Sequence, residues 1–218
     1  MPSTYTLNNG IELIATGEQS GTWGDTTNTN FSLVDTALDG QVTVTLPSAG
    51  TSGSPNTLPI SEGAASDGRN RLVIFTDGGD LGATAYVQLT PNDAEKIVYV
   101  RNNLSGSRSI ILFQGTYNAS NDYEVPAGTT AIVFFDGGGA GAVAANVFDN
   151  AFFDGLRLGN VSVTAILDED NMASDSDTAL ATQQSIKAYV DAQVTAQDLD
   201  FAGDSGTGAV DLDSQTFT

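Results

Sequence analysis

The amino-acid sequence predicts a mainly β protein: an antiparallel β-sandwich of jelly-roll type, with a short N-terminal helix and a C-terminal helix. Between 41 and 158, short runs rich in Val, Ile, Phe, Tyr and Thr alternate with clusters of Gly, Asn, Asp, Ser and Pro. That alternation is typical of sandwiches and barrels. Apolar residues at helical spacing occur before this region and again after it, which predicts the two helices.

The N-terminal segment, residues 1–40, contains a predicted amphipathic helix over Asp25–Asp39. Asp25 suits the N-cap position because its carboxylate can accept from the free amides of the first turn. Gly40 is a natural stop. Trp23 precedes the helix and adds apolar surface beside it. The apolar face consists of residues at offsets of four, three and four: Thr27, Phe31, Val34 and Leu38.

The region 41–158 is predicted to be one β-sandwich domain. Two of its runs, Arg71–Phe75 and Ala131–Phe135, are apolar almost without interruption. They predict strands buried on both faces, either central in the fold or covered by a neighbouring subunit. The eight predicted strands are Gln41–Leu46, Arg71–Thr76, Thr84–Thr90, Lys96–Arg101, Ser109–Gln114, Thr129–Phe135, Val143–Phe148 and Gly155–Leu158.

Residues 159–178 are predicted to be an acidic linker and 179–197 a helix. From 159 onward the chain carries eleven acids and one base, so half of the net charge of −20 lies there. Asp177 or Thr178 would cap the helix. The apolar stripe of this helix is short, so the helix alone would be only marginally stable in water. A second copy of the same helix is the simplest surface that could cover the stripe. The predicted trimer interface comprises Ile186, Tyr189, Val190, Gln193 and Val194, extended by Gln197.

The last segment, 198–218, alternates apolar and acidic residues and predicts the start of a β-rich shaft. Asp198–Phe201 and Ala209–Asp213 are its predicted strands, around a Gly-rich turn. Because the pattern stops without a capping turn, we expect the natural polypeptide to continue.

Composition excludes several classes of site. The chain has no His and no Cys, which removes imidazole and thiol catalysis, disulfides and the usual zinc, haem and iron–sulfur centres. Its 27 acids against 7 bases repel nucleic acid and anionic membranes. The start has no basic region and no long apolar run, so neither a signal peptide nor membrane insertion is expected.

Two motifs resemble ligand sites and fail in detail. The GGGAG run at 137–141 lacks the Gly-Lys-Ser/Thr of a phosphate loop and the spacing of a dinucleotide fingerprint, so we interpret it as a hairpin loop. The acids between Asp168 and Asp177 have Met172 and Ala173 where an EF-hand loop needs an oxygen ligand and a glycine. We interpret them as a solvated linker.

Carboxylate pairs and aromatic residues also carry little functional signal. With 27 acids in the chain, some pair of carboxylates will always seem suitable for glycoside hydrolysis. Such a pair is therefore no evidence of that activity. Trp23 and the aromatics of the β region fit core or interface packing better than a sugar site. We therefore expect no catalytic residues, cofactor or metal within 1–218.

Several motifs resemble phage tail fibres and related virion structural proteins, especially those of marine and cyanobacterial phages. The most specific is ATQQSIKAYVD at 181–191, within the linker-plus-helix stretch 172–194. The following DLDFAGDSG at 198–206 is similar to the shaft repeats of such fibres. GTWGDTTNTN at 21–30 is similar to their N-terminal region, and VPAGTTAIVFF at 125–135 gives a looser likeness.

This resemblance implies a homotrimeric fibre in the virion tail. Its N-terminal part would dock on a tail protein (adaptor, nozzle or baseplate), and a distal part beyond this chain would meet the host receptor. The expected tail-docking residues are Trp23, Phe31, Val34 and Leu38.

Two alternatives remain at this stage. One is a carbohydrate-binding β-sandwich module, which should have a concave aromatic patch on each monomer. The other is the base of a tailspike whose depolymerase lies beyond residue 218.

Overall fold

The computed structural model describes residues 2–149, 151, 156–158, 161–195, 199–203 and 206–210. The chain divides into two compact units, residues 1–151 and 152–218, and each is described by itself. Most regular structure in the described residues is β, joined by helices α1 (Trp23–Asp39) and α2 (Gln183–Thr195). The predicted mainly β class is therefore confirmed. No helix among these residues is long and apolar enough to cross a membrane.

The first unit opens with a short hairpin and α1, followed by two larger sheets. The hairpin pairs β1 (Thr4–Tyr5) with β2 (Glu12–Leu13). The five-stranded sheet contains β3 (Gln41–Leu46), β5 (Leu72–Asp77), β7 (Glu95–Asn102), β10 (Thr130–Asp136) and β11 (Ala144–Asn146). The four-stranded sheet contains β4 (Asn56–Pro59), β6 (Ala85–Thr90), β8 (Ile110–Gln114) and β9 (Tyr123–Val125).

From β3 to β8 the chain winds alternately through the two sheets. Each strand pairs in parallel with the strand two places before it: β3 with β5, β5 with β7, β4 with β6 and β6 with β8. The last strands reverse direction, because β9 pairs with β8, β10 with β7 and β11 with β10, all antiparallel. The sheet orders are β11-β10-β7-β5-β3 and β4-β6-β8-β9.

The predicted antiparallel pairing is therefore corrected for the four parallel pairs. Parallel neighbours need a long connection, and each connection here passes through a strand of the other sheet. The turn-forming residues between β5 and β6, 78–84, carry the chain across to the second sheet instead of closing a hairpin.

The two sheets share one apolar core. Alternate residues of each strand face it, as in Val73 and Phe75 of β5 and Val98 and Val100 of β7, all at most 1% exposed. The four-stranded sheet supplies Leu58, Ala85, Val87, Leu89, Ile110, Leu112 and Val125 to the same cluster.

Strand positions in the two larger sheets follow the sequence closely, with two omissions. Gln41–Leu46 matches the prediction at both ends, and the other predicted strands lie within two residues of observed ones. The prediction missed β4, which contains Asn56 and Pro59, and β9, which has three residues. Both are too short or too rich in turn formers to be recognised.

Both helices differ from their predicted bounds. α1 begins at Trp23 instead of Asp25, and Thr22 is its N-cap without a side-chain hydrogen bond. The predicted helix 179–197 is shorter, because Ala179–Ala181 forms strand β15 and pairs in parallel with β14 (Ala165–Leu167). Residues 159–178 are thus not a simple linker.

In the second unit, the described residues form three small two-stranded pairings and α2. β12 (Leu156–Leu158) pairs with β13 (Val161–Val163), and β16 (Leu199–Gly203) with β17 (Gly206–Val210), both antiparallel. Of the predicted strand Ala209–Asp213, residues 209 and 210 belong to β17, which begins at Gly206, and 211–213 lie outside the described residues.

Candidate assembly surfaces

The predicted docking residues form an apolar stripe on α1 that faces away from the rest of the unit. We call Trp23, Phe31, Val34 and Leu38 the α1 stripe. Their side chains are 62%, 68%, 41% and 59% exposed, respectively. Since the helix is about 25 Å long, the stripe is a continuous apolar strip along one side of the unit.

Another, more polar edge of α1 holds it to the first unit. Leu33 is the buried residue of the helix, at 3% exposure. Asn30 clamps the main chain of Glu12, donating from Nδ2 to its carbonyl (2.8 Å) and accepting from its N–H (3.1 Å). Arg71 donates from Nη1 to the carbonyl of Leu38 (3.0 Å). Because these contacts attach the helix to the unit through its more polar edge, the α1 stripe faces the solvent.

The predicted trimer residues on α2 are also exposed. We call Ile186, Tyr189, Val190 and Val194 the α2 stripe; they are 49%, 37%, 50% and 51% exposed. Gln193 is exposed beside them, and Gln197 lies outside the described residues.

A different residue from the predicted one caps α2. Thr182 Oγ1 accepts the N–H of Ser185 at 3.1 Å, which is the geometry of an N-terminal cap. Neither Asp177 nor Thr178 takes that role, because they precede the strand β15. Ser185 is fully buried, so α2 packs through its first turn while its stripe faces outward.

A third apolar surface was not among the predicted site residues. The side of the five-stranded sheet that faces away from the core carries aliphatic and aromatic side chains on three neighbouring strands. We call this the outer sheet face: Leu72, Ile74, Ile97, Tyr99, Ile132 and Phe134. Ile97 is 56% exposed and Phe134, its cross-strand partner, 38%; the other four are half-buried. Its signal in the sequence was the unbroken apolar runs of β5 and β10, which predicted strands buried on both faces.

A groove with two arginines lies at one end of the outer sheet face. Its volume is about 390 Å³, and it is lined by Leu72, Ile74, Tyr99 and the residues joining α1 to β3. Arg71 lies over the ring of Tyr99, 5.6 Å from its centroid. Arg101 donates to Asn103 Oδ1 (3.0 Å) and Thr130 Oγ1 (3.2 Å). The groove therefore concentrates positive charge on an acidic protein.

The other motifs considered in the sequence form no comparable site. The run 137–141 connects β10 to β11, and Asp136 Oδ1 accepts from the N–H groups of Gly138 and Val143, so it is a hairpin loop. In the described part of the chain, no group of three or more Asp or Glu side chains is placed to hold a metal ion. Tyr117 packs edge-on against Tyr86 and Phe113, which covers the aromatics of the four-stranded sheet.

Comparison with protein-family models, with curated proteins and with solved structures gave no match for this chain.

Proposed function

We propose that this chain is a structural component of a phage tail: the N-terminal part of a homotrimeric tail fibre that anchors the fibre and supports host attachment. The observation that carries the proposal is the outward orientation of the α1 and α2 stripes. Contiguous apolar patches larger than a few hundred Å² are rare on free monomers and mark surfaces that bind other proteins. Trp23 and Phe31 alone leave roughly 200–300 Å² of apolar surface, given the area an aromatic side chain buries.

In this proposal the two stripes have different occupants. The α1 stripe docks on a tail protein, such as an adaptor, nozzle or baseplate component. The α2 stripe packs on two further copies around a threefold axis, and the two-sheet unit is the sandwich-like base of the fibre. The motif at 181–191, which resembles trimeric fibres, supports the second assignment. Host recognition belongs to a more distal part, and no catalytic role is assigned to residues 1–218.

The docking role is tested by a charge placed on the α1 stripe. Phe31→Glu should leave the chain folded, because Phe31 is 68% exposed, and should abolish its incorporation into virions. Ser32→Glu is the matched control: Ser32 is exposed on the same helix and points away from the stripe. Normal incorporation of the Phe31→Glu chain would contradict the docking assignment.

A further inference from the structure

We infer that the outer sheet face is a contact between copies of this chain, so that the first units pack on one another in the assembly. The inference rests on the proposed function for the existence of that assembly. It adds a second interface, remote in sequence from α2, to which neither the motifs nor the predicted site residues point.

The first observation is the contrast between the outward sides of the two sheets. On the four-stranded sheet, the outward side carries Thr57, Gln88 and Glu124 beside one half-buried aliphatic residue, Ile111, and its aromatic residues pack against Tyr117. On the five-stranded sheet, the rows opposite Tyr99 and Ile97 are apolar across strands: Leu72 and Ile132 flank Tyr99, and Phe134 faces Ile97. In a sheet with one solvent-exposed face, the strands normally alternate apolar residues toward the core with polar residues toward the solvent. The strands β5, β7 and β10 depart from that pattern, whereas β3 keeps it with Gln41, Thr43 and Thr45 on its exposed side.

The second observation concerns where the exposed positive charge lies. Arg69 and Lys96 are buried, Arg108 pairs with Asp80 (2.7 Å) and Lys187 with Asp191 (2.5 Å). Of the cations whose side chains the structure describes, Arg101 and Arg71 remain; Arg71 pairs only with the exposed Asp39, and both arginines line the groove on the outer sheet face.

Arg71 has one exposed carboxylate nearby, Asp39 at 3.5 Å. No carboxylate lies within 4.0 Å of Arg101 in the described part of the chain. A partner surface rich in acidic side chains would complement the positive charge of this groove. A second copy of a chain with 27 acids has that chemistry.

The size of the face favours a tethered copy over an independent partner. Three strands spaced about 4.8 Å apart and six residues long cover roughly 300 Å². Each copy would bury only this area, against about 800 Å² per partner in a stable free-standing complex. Copies already held together through α2 would meet at a high effective concentration, at which a weak contact forms readily.

The test uses the absence of cysteine from residues 1–218. Ile97→Cys places a single thiol at the centre of the outer sheet face, and Thr57→Cys places one on the exposed outward side of the four-stranded sheet. Each purified 218-residue variant is labelled with a maleimide. Its labelling rate is then divided by the labelling rate of the same variant in denaturant. We expect the I97C thiol to react at least about tenfold more slowly than the T57C thiol, a protection of about 1.4 kcal/mol. Adding Phe134→Glu to the I97C chain should restore the T57C rate.

Equal labelling rates in a chain that sediments as a trimer would overturn the inference and leave the proposed function standing. Equal rates in a monomeric chain would overturn both. Protection of the I97C thiol in virions but not in the purified chain would assign the face to another tail protein, and so would also overturn the inference.

Discussion

The ammonium group of Lys96 donates a hydrogen bond to the main-chain carbonyl of Arg69 at 2.6 Å, and both side chains are buried. Arg69 is also held by the chain: its Nη2 donates to the carbonyls of Ser61 and Ala64. Two neighbouring cations are thus held by carbonyl oxygens. Burial, and then the nearby charge of Arg69, lower the pKa of Lys96 to about 8.

The burial of Lys96 beside Arg69 predicts that the free energy of unfolding increases in mildly alkaline solution. Folded Lys96 loses its proton near pH 8, whereas the unfolded chain holds it up to about pH 10.5. Between those values the unfolded state binds more protons, so the free energy of unfolding increases with pH by up to about 3 kcal/mol. Above pH 10 the effect is opposed by Tyr117, whose pKa is raised by lost hydration and by Asp122. Urea unfolding between pH 7.5 and 10 measures the slope.

The matched variants for that slope are Lys96→Met and Lys187→Met. Lys187 is exposed on α2, so its replacement should keep the rise, whereas Lys96→Met should remove it. A slope that persists in Lys96→Met would show that another group causes it.

Two glycines of α1 should respond to alanine in opposite directions. A Cβ at Gly24 would meet no atom within 4 Å, but one at Gly40 would collide with the carbonyl of Thr36 and the side chain of Asn70. Gly24→Ala should therefore stabilise the helix by up to about 1 kcal/mol, while Gly40→Ala should lower Tm. Thermal unfolding by circular dichroism compares the two, and equal shifts would contradict this assignment.

Leu33 and Phe31 separate the packed edge of α1 from its exposed stripe. Leu33→Ala should cost about 2–5 kcal/mol because the side chain is 3% exposed. Phe31→Ala should change stability by no more than about 0.5 kcal/mol. Denaturant unfolding gives both values. A large loss for Phe31→Ala would mean that the stripe is already covered within the chain.

A charge on the α2 stripe should dissociate the trimer while the first unit keeps its fold. Ile186→Asp places three carboxylates near one axis, where burial of each aliphatic side chain contributes roughly 1.5–3 kcal/mol. Gln184→Asp is the control, since Gln184 is exposed on the opposite side of the helix. Sedimentation velocity reads the mass of both variants. A trimer that survives Ile186→Asp would assign oligomerisation to another surface.

The sequence predicted the strands of the first unit well but not their pairing direction. Alternation in runs such as Gln41–Leu46 depends only on local residues, so its signal is visible in one chain. Whether β5 pairs with β6 in a hairpin or with β7 in parallel depends on where a turn sends the chain, and the same glycines and aspartates serve both paths.

The candidate surfaces were predictable only in part. Helical spacing identified the α1 and α2 stripes, because an apolar face is a local pattern. It could not show that α1 is held by its polar edge, since that depends on the Asn30–Glu12 contact. Thr182 was missed as the cap of α2 because Ala179–Ala181 pairs with a strand fourteen residues earlier in the chain, overriding its helix propensity.

The most direct test of a homotrimeric fibre base is the mass of the purified, unmodified 218-residue chain by sedimentation equilibrium over a range of concentrations. The proposed assembly predicts a single species of three chains that persists on dilution. A mass of one chain at every concentration, with the α1 and α2 stripes exposed, would contradict it.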